Sequence, residues 1–79
     1  MSTRSSIKFM NSTGQSLIAV VEPWATEFDL PHGSECEVFS IGGTEPHRID
    51  IELISPRLIF YVETTGATYE LWRDGVQLD

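Results

Sequence analysis

From His47 to Leu53 the chain alternates without a break: His47-Arg48-Ile49-Asp50-Ile51-Glu52-Leu53. Successive side chains of a strand point to opposite faces, so Ile49, Ile51 and Leu53 line one face and the charged residues the other. On a helix those three apolar residues would spread around more than half the circumference. The segment reads as a half-buried strand, and Thr26-Glu27-Phe28-Asp29-Leu30 repeats the pattern. Leu17-Ile18-Ala19-Val20-Val21 and Leu58-Ile59-Phe60-Tyr61-Val62 are apolar at both parities, which marks central strands or strands covered on both sides. Period two places further strands over 6–11, 34–41, 68–73 and 76–78, with the two apolar runs extended to 16–22 and 57–63.

Turn formers separate these runs at short, regular intervals: Asn11-Ser12-Thr13-Gly14, Pro31-His32-Gly33, Gly42-Gly43-Thr44-Glu45-Pro46, Ser55-Pro56, Thr64-Thr65-Gly66 and Asp74-Gly75. That spacing suggests an all-β fold, a small antiparallel β-sandwich or barrel of seven to eight short strands. Asp74-Gly75 between strand residues suits a type I′ turn, whose positive φ angles both residues tolerate. No helix of normal length and no repeat is expected. Residues 1–5 read as a loose tail and 6–79 as a single domain. Pro23 lacks a ladder N–H, so the second strand should leave its sheet at Glu22-Pro23 and set Trp24 at a corner, capping one end.

A chain of 79 residues has a small core, and a lone cysteine provides no internal disulfide. Good packing and self-association are the remaining supports. With 41% hydrophobic residues the chain can still fold. A single thiol fits a reducing compartment, no secretory signal opens the chain, and no apolar run approaches a membrane span. The expected location is cytoplasmic.

Charge narrows the partners. Five basic against twelve acidic residues leave a net charge of −7, and no Lys or Arg occurs between Lys8 and Arg48. Nucleic acids and anionic membranes are recognised through Lys and Arg, so both are disfavoured. A basic protein partner is allowed, and a solvated acidic surface is the plainer reading.

Asn11-x-Thr13, the apolar strand after it and Val21-Glu22-Pro23-Trp24-Ala25 resemble a motif of small uncharacterised bacterial proteins, followed here by Phe28-Asp29-Leu30-Pro31-His32-Gly33. The resemblance covers about residues 11 to 41, with an echo in the Asp74-Gly75 hairpin; His32 departs from the pattern. It implies a small β-sandwich of cupredoxin-like shape and no nameable activity.

Met10, His32, Cys36 and His47 are the residue types of a copper site, but their order does not crowd Cys, His and Met into one late loop. Cys36 alternates with Val38 and reads as a small core residue. Flanking Glu35 and Glu37 would raise its pKa, which opposes nucleophilic chemistry with His32 or His47. Glu27 with Asp29, Glu35 with Glu37 and Asp50 with Glu52 each share a strand face. The spacing follows from a strand with one wet face, and with no Asp/Asn/Gly-rich calcium loop beside them a solvated face is favoured over a hard-cation site. Trp24, Tyr61, Tyr69 and Trp72 serve either packing or a partner. The expectation is a non-catalytic interaction or assembly domain with no cofactor or metal. It is expected to form a homo-oligomer, a dimer, and its partner surface is drawn from Glu27, Asp29, Glu35, Glu37, Tyr61 and Trp72. A ligand- or metal-binding β-sandwich domain is the alternative.

Overall fold

The computed structural model describes residues 3–44 and 46–78. They form eight strands and no helix: β1 (Arg4–Met10), β2 (Leu17–Glu22), β3 (Thr26–Leu30), β4 (Glu35–Ile41), β5 (Ile49–Ile54), β6 (Arg57–Val62), β7 (Thr68–Arg73) and β8 (Val76–Gln77). Two four-stranded sheets result. Sheet A has the order β1-β4-β7-β8 and sheet B the order β3-β2-β6-β5. All pairings are antiparallel except one: β2 and β6 run parallel at the centre of sheet B.

Expected and observed strands agree within one residue, apart from two boundaries. β1 begins at Arg4, so the strand takes in part of the expected tail; residues 1 and 2 lie outside the described set. At the other sheet, β5 begins at Ile49 rather than His47, whose ring turns to Ser40 with Nδ1 3.0 Å from the Ser40 hydroxyl.

Alternation decides what is inside. Leu17, Ala19 and Val21 of β2 and Leu58, Phe60 and Val62 of β6 face Cys36 and Val38 of β4 and Leu71 of β7, and all of them are buried. Cys36 is therefore a core residue, as its alternation with Val38 indicates. Further contacts tie the two sheets together. The Tyr69 and Thr26 hydroxyls lie 2.6 Å apart, and the Arg73 guanidinium donates to the Asp29 carbonyl at 2.9 Å.

At the end of β1, Asn11 is fully buried and fully bonded. Its amide nitrogen donates to the carbonyls of Gln15 and Leu30 at 2.7 and 2.8 Å, while its side-chain oxygen accepts from the N–H and hydroxyl of Thr13. One side chain thus fixes the β1–β2 loop and the exit of β3, which is why burying an amide here is tolerable. At the β7–β8 hairpin, Asp74 and Gly75 both have positive φ, as a type I′ turn requires. Gly43 has no alternative: a Cβ there would sit 2.4 Å from the Thr65 carbonyl oxygen, so only glycine lets this loop lie on the 64–67 turn.

Candidate partner-binding face

The two outer faces follow from the same alternation. On sheet A the outward row is Arg4, Ser6 and Lys8 of β1, Glu35, Glu37, Phe39 and Ile41 of β4, and Glu70 and Trp72 of β7. On sheet B the outward residues are Glu27 and Asp29 of β3, Ile18, Val20 and Glu22 of β2, Arg57, Ile59 and Tyr61 of β6, and Asp50, Glu52 and Ile54 of β5.

The six residues expected to form one partner surface are thus divided. Glu27, Asp29 and Tyr61 share the outer face of sheet B, whereas Glu35, Glu37 and Trp72 share the outer face of sheet A, on the other side of the molecule. The physical reason is the crossing at 31–34, which carries the chain from sheet B to sheet A between the two acidic pairs. Glu45, within the stretch between Lys8 and Arg48 that has no Lys or Arg, lies outside the described residues.

Register turns the sheet B face into an ordered pattern. Val20 pairs with Glu27 on one side and Ile59 on the other, and Ile59 pairs with Glu52. One row across the sheet therefore reads Glu27, Val20, Ile59, Glu52. The next row reads Asp29, Ile18, Arg57, Ile54. An apolar stripe runs along β2 and β6 with carboxylates on both outer strands. Val20 retains only 7% of its exposure although it faces outward, because its neighbours close over it.

Polar contacts hold the rim in place. Arg57 ion-pairs with Glu27 at 3.1 Å, and the Tyr61 hydroxyl donates to Glu52 at 2.9 Å. That bond, with the nearby carboxylate charge, raises the Tyr61 pKa above its ordinary value. Arg48 bridges Asp50 and Glu63 at 3.0 and 3.1 Å. Its hydrogen bond to Asp50 lowers that carboxyl's pKa, while Glu63, bonded to Asp50, is raised.

Sheet A's outer face is closed by its own side chains. Arg4 lies over the Phe39 ring, 4.2 Å from its centroid, and ion-pairs with Glu70 at 3.2 Å. The Trp72 indole N–H donates to the same Glu70 oxygen, and Ser6 donates to Glu37 at 2.7 Å. At the β2–β3 corner Trp24 packs on Tyr69 with centroids 4.4 Å apart and remains 38% exposed, the corner position that Pro23 indicates.

The four copper-type residues take separate roles. Cys36 is in the core, its pKa pushed up to about 12 by burial and then by the Glu35 charge. Met10 is exposed at the end of β1, His32 accepts from the Gly14 N–H, and His47 contacts Ser40. Among the described residues no group of three His, Cys, Asp or Glu side chains is placed to hold a metal ion, and no helix is long and apolar enough to cross a membrane. No protein-family model matches this chain, and neither a curated protein nor a solved structure matches it at a significant level.

Proposed function

We propose that this chain is a non-catalytic interaction domain that takes a basic protein partner on the outer face of sheet B. The row Glu27, Val20, Ile59, Glu52 carries the reading: an apolar centre between two carboxylate rims is the arrangement of a protein-binding patch. A partner with an apolar ridge flanked by Lys or Arg would bury Ile18, Ile59 and the Tyr61 ring and pair with the rim. A second copy fits this face poorly, because its own carboxylates would meet the same carboxylates. The cytoplasm is the compartment that suits a single buried thiol.

An extended peptide alternating Lys with Val is the probe, followed by calorimetry at low and high salt. Binding should weaken with salt and be lost in Glu27→Lys/Glu52→Lys while persisting in Glu35→Lys/Glu37→Lys. Equal losses in the two double variants would reduce the face to a solvated acidic surface.

A further inference from the structure

The two sheets leave different strands at their edges, and one edge is unfinished. β5 borders only β6, and β1 borders only β4. Ile51 and Leu53 project to the inner side of sheet B, opposite Phe60 and Leu58, which are fully buried. Yet Ile51 and Leu53 themselves remain 38% and 53% exposed, so this half of β5 runs out beyond the cover of sheet A. Its other face carries Asp50 and Glu52. β1 has the complementary pattern, with Ile7 and Phe9 inward, Arg4 and Lys8 outward and no carboxylate. Lys8 has no ion pair among the described residues.

We propose that the free edge of β5 takes up β1 of a second copy of this chain. In an antiparallel ladder that sets Ile7 beside Leu53 and Phe9 beside Ile51, Lys8 falls opposite Glu52. Apolar then meets apolar and cation meets carboxylate in one register. Pairing β5 with β5 is opposed by charge: placing Ile51 beside Ile51 or Leu53 sets Glu52 against Asp50 or against itself. β3 is also an acidic edge, but its inward Leu30 is already fully buried, so it offers no apolar surface of that kind. A single β1–β5 contact leaves one β1 edge and one β5 edge free, so association extends past a dimer unless the pair closes reciprocally, unlike the face-to-face pair that small size alone suggests. It leaves the Ile18–Ile59 stripe uncovered but engages Glu52 of the carboxylate rim, so Glu27→Lys alone, which spares Glu52, tests the basic partner separately.

Light scattering across the micromolar to millimolar range reads this directly. The mass should rise with concentration to twice the chain's 8.9 kDa or beyond. Lys8→Glu and Glu52→Lys should each weaken association about tenfold or more. An equimolar mixture of the two variants should associate again, since each restores the other's opposite charge. Lys8→Gln should weaken it less. Both positions are exposed, and circular dichroism verifies that the variants fold. A mass that stays at one chain throughout, association that survives Lys8→Glu, or a mixture that fails to recover would each overturn the proposal.

Discussion

On sheet A the outward aromatic rings are held by their own neighbours. Arg4 covers Phe39, and Glu70 accepts from both Arg4 and Trp72. On sheet B the outward apolar side chains lie between carboxylates that turn to Arg57, Tyr61 and Arg48 rather than over the stripe's centre. The two faces have comparable raw material, and the difference lies in where the cations fall. Arg4 stands one strand away from Phe39 and can reach across it. Arg57, the cation within the sheet B face, is drawn to Glu27. A cation with a ring and an acid together finishes a surface, whereas a face whose carboxylates outnumber its cations keeps negative charge beside its aliphatic side chains.

The inner and outer sides of β6 provide the largest contrast. Phe60 is fully buried in the core, and Phe60→Ala should cost about 3–5 kcal/mol, much of what holds so small a domain together. Tyr61, one residue on, should tolerate Ala within about 1 kcal/mol while losing peptide binding. Urea denaturation beside calorimetry separates the two. If Tyr61→Ala destabilises as Phe60→Ala does, sheet B has no free face.

A smaller effect compares the two outer faces. Arg4→Ala removes the guanidinium from Phe39 and from Glu70, and should cost about 1 kcal/mol of folding stability with no change in binding of the probe. Ile59→Thr keeps a β-branched residue on the strand, so stability should move by less than about 1 kcal/mol while binding falls. The opposite result, with Ile59 governing stability and Arg4 governing binding, would exchange the roles of the faces.

Much of this arrangement is legible in the sequence, because period two needs no tertiary information. It places Cys36 and Val38 inward, and the Asp74-Gly75 pair specifies its own turn, whereas the run Leu58–Val62, apolar at both parities, leaves the inward side of Phe60 to the structure. It cannot say which strand joins which sheet. Glu27/Asp29 and Glu35/Glu37 look alike in sequence, and only the crossing at 31–34 sends them to opposite sides. The parallel pairing of β2 with β6 is equally silent, since two apolar runs fit either direction. Asn11 reads as a turn former. Its burial depends on the Leu30 carbonyl, nineteen positions away.

Above neutral pH the interior should separate from both faces. The unfolded Cys36 thiol ionises at an ordinary pKa, while burial raises the folded one to about 12. The unfolded state therefore releases its proton first. Stability from the protonated thiol is complete below the unfolded pKa and is lost as pH rises toward 12. Urea midpoints should decline through that window, and Cys36→Ala should flatten the decline, though Ala itself lowers the starting value by leaving space in the core. Persistence of the same slope in Cys36→Ala would assign it to other groups.

The smallest effect tests the two sheets at acid pH. In the sheet A hairpin, the Glu35 N–H donates to Asp74 at 2.9 Å, and with the Ser34 hydroxyl it lowers the carboxyl's pKa. A carboxyl lowered on folding contributes stability above its unfolded pKa of about 4 that is lost as pH falls through the folded value. In the sheet B cluster, Asp50 is lowered but Glu63 is raised, chiefly by its bond to Asp50. A raised carboxyl acts with the opposite sign: its contribution is present below the unfolded pKa and lost as pH rises through the folded one. Asp50→Asn removes two opposed shifts at once, so the changes it makes to the acid limb act against each other. Asp74→Asn removes one uncompensated shift and should flatten that limb. Asn accepts the same N–H bond and tolerates the positive φ at position 74, so the comparison isolates the charge. Acid titrations followed by circular dichroism read both variants, and a larger change in Asp50→Asn would mean that Arg48 holds Asp50 more firmly than Glu63 offsets it.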